Sequence, residues 1–190
     1  VHTVRDRDVD EEYLALVREY PEVWSISNLP GDPLVLDDLP WLAEPLAPFQ
    51  IENFREQIEQ REAAGPPDPN SQFPLQCRNV RRNHEAGMAL GGGTDSGVRI
   101  AWTVHIEIRD MVSCGLTPME GIMAATRNNA EFLGIDDLGM VAEGKSASFV
   151  VLEANPLEDI NNTRRIADVY LRGDRIDRET LRAEFMEGTR

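Results

Sequence analysis

Two periodicities of apolar positions divide the chain. Tyr13, Leu14, Leu16, Val17 and Tyr20 recur at helical spacing and predict a helix that Pro21 closes. Asp8 and Glu11 stand before it with the spacing of a capping box. Val23-Trp24-Ser25-Ile26-Ser27 is short, β-branched and strand-like, and Val1 to Val4 read as the end of another strand. Residues 28–44 carry Pro30, Gly31, Pro33 and Pro40 and read as loop. A polar helix with Ile51, Phe54 and Ile58 on one stripe is expected from Pro48 to Ala64, before a second break at Gly65-Pro66-Pro67. An excursion helix between two punctuated segments fits a lid or insertion over a site.

Phe73 to Ala86 form the next expected helix, packing Cys77, Val80 and His84 inward. Met88-Ala89-Leu90 is too brief for a helix and runs as a strand into Gly91-Gly92-Gly93-Thr94-Asp95-Ser96-Gly97. Val104, Ile108, Met111 and Val112 mark a helix ended by Gly115. Thr117-Pro118-Met119-Glu120 then combines an N-cap, a proline at the first helical position and an acid at the third. That helix is expected to bury Ile122, Met123, Ala130 and Leu133 and to stop at Gly134. Later the pattern changes: Phe149–Leu152 and Ile166–Leu171 read as strands, Gly173-Asp174 as a hairpin turn, and Glu179 to Met186 as a last helix. Residues 1–133 thus alternate strand and helix as parallel βα units do, while 140–178 read as antiparallel β-structure.

The 190 residues suffice for a packed core. With 19 basic and 34 acidic residues the net charge is −15, which argues against nucleic acid or an anionic membrane as partner. No apolar run is long enough to span a bilayer. Cys77 and Cys114 lie on apolar stripes and read as small core residues. The chain begins at Val1, close to structure, so the expectation is the later part of a longer protein.

Candidate chemistry centres on Asp95. An acid at the carboxyl end of a strand in a parallel α/β fold faces the usual site of catalysis. The glycines before it let the backbone turn sharply and approach a ligand. Turn initiation by Thr-Asp-Ser-Gly is the competing reading. Thr94 is placed to orient Asp95, His105 to reach the rim of the pocket from the start of the next helix or to pack there, and His84 to serve as an ordinary boundary histidine. Trp24, Trp41 and Trp102 are candidate pocket walls, with a core role the simpler reading for Trp24.

Several stretches, in order, resemble the amidohydrolase superfamily, in its imidazolonepropionase-like and Xaa-Pro-dipeptidase-like branch. They are His2-Thr3-Val4-Arg5-Asp6, Gly93-Thr94-Asp95-Ser96-Gly97, His105-Ile106-Glu107 leading to Gly115-Leu116-Thr117-Pro118, Ala124-Ala125-Thr126-Arg127-Asn128-Asn129-Ala130, Gly144-Lys145 and Asn155-Pro156-Leu157-Glu158-Asp159-Ile160. Residues 28–75 match thinly. Ala147-Ser148 departs from the Ala-Asp usual after Gly144-Lys145, which bears on a local turn rather than on catalysis.

The resemblance implies an α/β fold: the last strands of a TIM-like (β/α)8 barrel over residues 1–138, strands of a small composite β-sandwich over 139–178, and a terminal helix over 179–190. It implies one or two divalent metals, commonly zinc, with His2 matching the sixth-strand histidine ligand and Asp95 the eighth-strand aspartate. A His-x-His, a bridging residue and a fifth-strand histidine have no counterpart in the chain. The implied function is hydrolysis of a C–N bond in a small cyclic amide or dipeptide, with Asp95 as general base and acid and His105 as a substrate contact. The alternative is a catalytically incomplete half-barrel that assembles with a complementary chain. Homo-oligomerisation is left open.

Overall fold

A computed structural model describes residues 2–29, 34–44, 46–66, 68–95 and 100–188. Helix α1 (Glu11–Glu19) leads to strand β1 (Trp24–Ile26). The short α2 (Leu39–Leu42), α3 (Pro48–Ala64) and α4 (Gln72–Glu85) follow, then strand β2 (Ala89–Gly91). Next come α5 (Ile100–Ser113), α6 (Pro118–Met123), a π-helical turn (Ala124–Asn128) and α7 (Asn129–Phe132). The chain ends in β3 (Phe149–Leu152), a 3₁₀ turn (Ile160–Arg164), β4 (Ile166–Leu171), β5 (Asp174–Arg175) and α8 (Arg178–Gly188).

The first sheet is parallel. β1 pairs with β2 in the register Trp24↔Ala89, Ser25↔Leu90 and Ile26↔Gly91. On the other edge of β1, His2 makes a parallel bridge to Ile26. Helices α1 and α4 lie between successive strands, as parallel connections require. The main core gathers Val17, Leu29, Val80, Leu90 and Met111 around this sheet. A second cluster joins Trp102 and Ile106 of α5 to Leu42, with Trp41, Ile51 and Phe54 packed on it. The excursion at residues 34–64 is therefore docked on α5. Trp41 and Trp102 meet edge to face there at 6.4 Å, as members of a packed cluster. The second sheet is antiparallel, ordered β3-β4-β5.

Local signals translate directly where the geometry is local. Thr117 and Glu120 form the reciprocal box: the Thr117 N–H donates to Glu120 Oε2 at 2.8 Å, and the Glu120 N–H donates to Thr117 Oγ1 at 3.3 Å. Gly115 takes a positive φ of 108° and ends α5. Other expectations are corrected. The N-cap of α1 is Asp10, which accepts from the Tyr13 amide at 2.9 Å; Asp8 instead pairs with Arg78. The hairpin turns at Arg172 and Gly173, both with positive φ as a two-residue primed turn needs, and not at Gly173-Asp174. Leu133 is 65% exposed; the buried positions of its segment are Gly121 and Ala124.

Cys77 and Cys114 are not free core thiols. They form a disulfide that joins α4 to the chain just beyond α5, with Cα atoms 4.8 Å apart. Neither cysteine has a spacing that reveals the pairing; packing of the two helices brings them together. The bridge closes 37 residues of chain, and on the loop-entropy scale its loss costs about 3–4 kcal/mol. The expected result is no free thiol in the denatured, unreduced protein. Cys77→Ala/Cys114→Ala, or added reductant, should lower the unfolding free energy by that amount in urea titrations.

Candidate functional site

The site is assembled where β1 and β2 end. Gly91, Gly92 and Gly93 carry the backbone towards Asp95. They lie outside the left-handed region; the requirement is space. A Cβ on Gly91 would fall 2.5 Å from Asn129 Oδ1 and 2.6 Å from Ile26 Cδ1. One on Gly93 would come closer still to Ile26 Cγ2, and one on Gly92 would meet Ala125 Cα at 3.3 Å. The strand is squeezed between β1 and the helices that follow it, so a larger residue would overpack it.

The outer edge of β2 is occupied by side chains in place of a strand. The Gly92 amide donates to the Ala124 carbonyl at 3.0 Å. Asn128 Nδ2 donates to the Leu90 carbonyl at 2.8 Å, and Asn129 Nδ2 to the Gly92 carbonyl at 2.7 Å. The π-helical turn and the first residue of α7 present these three groups to one strand edge. Such turns recur at functional sites.

Beyond this clamp stands Asp95, exposed and with φ 43°. A non-glycine residue there is uncommon, although Asp tolerates it better than most. Asn28, two residues past β1, has φ 39°. Both strand ends thus carry a residue in a sparsely populated conformation, a condition that clusters at active sites. Ser96 and Gly97 of the expected motif lie outside the described residues. His2 is exposed and level with Gly91 through Ile26, so β1 runs between His2 and the strand that leads to Asp95.

His105 sits elsewhere on this framework. Its ring packs edge-on to Trp41 at 5.7 Å, and Nδ1 is buried without a hydrogen-bond partner among the described residues. Burial first, then the charge of Arg164, pushes it down to about 4, so it is neutral at physiological pH. Arg164 lies over Trp41 at 4.3 Å and pairs with Asp38, which also binds Arg109 at 3.0 Å. Burial would raise the Asp38 carboxyl, but the Val35 amide and the Arg164 guanidinium outweigh it and hold it below the usual range. His84 pairs with Glu120 at 3.1 Å beside a cavity of about 280 Å³ lined also by Met88, Leu116 and Met123. This cavity is at the start of β2, the end away from Asp95.

The residue missed by sequence reasoning is Glu107. It is buried on α5, accepts the Leu29 amide on both oxygens at 3.1 and 3.2 Å, and is hydrogen-bonded to the Ser27 hydroxyl. Burial above all, with Asp110 adding, pushes it up to about 8 against the lowering effect of Ser27 and Leu29. Its signal was visible as two acids, Glu107 and Asp110, one helical turn apart within the largely apolar run 100–112. Both are buried.

The model of the Amidohydrolase family matches residues 28–176. The chain belongs to that family. It is 34% identical over 102 residues to an imidazolonepropionase of Deinococcus deserti, covering 50% of this chain and 26% of that protein. An adenine deaminase of Desulfitobacterium hafniense is 33% identical over 76 residues, 40% of this chain and 12% of the relative. The crystal structure of a Xaa-Pro dipeptidase with bound methionine in its active site superposes with a TM-score of 0.63 at 26% identity, covering 93% of this chain and 39% of that one. The amidohydrolase chain thus spans about a quarter or less of these curated relatives and about two-fifths of this solved one. Fold neighbours of this kind support a partial barrel for the parallel half. No helix among the described residues is long and apolar enough to cross a membrane.

Glu107 and His105, the two groups shifted furthest, predict a pH profile. Glu107 is raised above its unfolded value of 4.5, so the unfolded chain loses that proton first and stability falls between about 4.5 and 8. His105 is lowered from 6.5 to about 4, so stability rises across that interval. The slopes oppose each other up to pH 6.5, and above it only the Glu107 decline remains. At about 1.4 kcal/mol per pH unit this amounts to about 2 kcal/mol by pH 8. Urea midpoints at pH 6.5 and 8 should show the loss in the native protein and its absence in Glu107→Gln.

Proposed function

We propose that this chain is the carboxyl-terminal part of a metal-dependent hydrolase that cleaves a C–N bond in a small cyclic amide or dipeptide, with Asp95 as the proton carrier. The observation that carries the reading is an exposed acid, in a left-handed conformation, just past a crowded parallel strand in an amidohydrolase chain. The names of the relatives support a C–N bond as the target: an imidazolonepropionase, an adenine deaminase and a Xaa-Pro dipeptidase.

His2 and Asp95 are the donors that this chain would contribute to a metal, through a neutral imidazole nitrogen and a carboxylate oxygen. This donor set suits a divalent ion such as zinc but is short of the three protein ligands that a catalytic zinc takes. Among the described residues no group of three or more His, Cys, Asp or Glu could hold one. A bound ion supplies a water acidified towards neutrality and a Lewis acid for the carbonyl. The Asp95 carboxylate accepts the proton as the water adds to the carbonyl carbon, then delivers it to the nitrogen as the C–N bond breaks. His105 enters the reading as a substrate contact, its ring packed edge-on to Trp41.

Two measurements test this. Zinc titration of the 190-residue chain should show weak binding only; tight stoichiometric uptake would contradict the two-donor assignment. Asp95→Asn keeps a side chain suited to positive φ, so thermal stability should change by less than about 1 kcal/mol. Turnover by the full-length protein should fall by at least about a hundredfold, the scale of a lost general base. Unchanged turnover would return Asp95 to turn chemistry.

A second reading, a half-barrel that assembles with a complementary chain, is favoured by exposed apolar positions such as Leu133 and Val141, the latter 84% exposed. Co-elution with a chain carrying a His-x-His strand, without catalysis, would select it.

A further inference from the structure

Glu107 has no part in the chemistry above, yet it is buried and tied to the chain that leaves β1. It is 3% exposed, and among the described residues no basic side chain pairs with it. Its hydrogen-bond partners come from the chain that leaves β1: the Ser27 hydroxyl and the Leu29 amide. Ser27 is itself fully buried and reaches β2, its amide donating to the Gly91 carbonyl at 2.9 Å and its hydroxyl at 3.3 Å. Between Ser27 and Leu29 stands Asn28, whose carbonyl accepts from Gln76 Nε2 of α4 at 3.3 Å. One carboxyl group therefore joins α5, the end of β1 and, through Ser27, the strand that runs to Asp95 four residues later.

A packing position would be filled better by an apolar side chain, because an acid buried without a counter-charge is costly. An apolar side chain, however, cannot bond to an amide and a hydroxyl at one point. We infer that Glu107 is a positioning residue of the candidate site, holding the ends of β1 and β2 together so that Asp95 emerges at a fixed place. The inference rests on the hydrolase reading for what is being positioned, but the clamp itself is measurable without it.

Amide hydrogen exchange on the 190-residue chain is the test. In Glu107→Leu, Ser27, Leu29 and the segment 91–95 should exchange at least about tenfold faster, with α3 and α8 unchanged, and Glu107→Gln should restore protection. Glutamine can accept from Leu29 and donate to Ser27, which still reaches Gly91. Ser27→Ala, a smaller perturbation, should accelerate 91–95 should Glu107→Leu fail to fold. Zinc alone, titrated into the full-length protein, should bind about tenfold more weakly in Glu107→Leu and normally in Glu107→Gln, the scale of a lost outer support. Uniform acceleration along the chain, unchanged exchange at 27–29 and 91–95, or a glutamine variant that behaves like leucine would overturn the inference. Failure of Asp95→Asn to affect turnover would instead sink the hydrolase reading and leave the exchange result standing.

Discussion

Contact between the Ile26 side chain and the glycine strand is the constraint on which the rest depends. Ile26 occupies the space that side chains on Gly91 and Gly93 would need, with Asn129 beside it at Gly91, while Ala125 closes the other face at Gly92. A strand of three residues has little ladder of its own. Its path is fixed because neighbours fill every direction in which it could relax, as dense interiors do. Asp95 inherits that definition.

Polar groups complete what packing begins. β1 satisfies one edge of β2, and the other is met by Ala124, Asn128 and Asn129. Unmet backbone groups at such a depth would each cost about 1–3 kcal/mol. The π-helical turn, continued by the first residue of α7, is the local distortion that presents these partners together. It also explains why the Asn128-Asn129 pair sits far from Asp95 in sequence and close to its strand in space.

Away from the sheet, a second polar centre ties the 34–64 excursion to the helices. Asp38 holds Arg109 of α5 and Arg164 of the 3₁₀ turn, and Arg164 covers Trp41. Removing one partner would leave a buried charge unmatched, which is why such a centre specifies an arrangement more than it stabilises one. The amidohydrolase chain thus uses the buried acids Asp38 and Glu107 as fasteners, the first held below the usual carboxylate range and the second pushed above its own. Both accept from a backbone amide, and Asp38 has in addition the guanidinium groups of Arg164 and Arg109 beside it.

Where the physics is local, the sequence by itself determined the outcome. The Thr117–Glu120 box, the Gly115 stop, the proline-started helix Pro48–Ala64 and the alternation of strand and helix all act within a few residues. The stretch Gly91 to Asp95 was legible as a strand end with an acid, and its resemblance pointed to the family. Only tertiary structure decided the rest. It chose Asp10 over Asp8 as the cap, because Arg78 from α4 takes Asp8. It paired Cys77 with Cys114, packed Ile26, Ala125 and Asn129 against the glycines, and made Glu107 the bolt between strands. Each of those outcomes depends on a partner at least 33 residues away, and such a partner leaves no periodicity in the sequence around the residue it fixes.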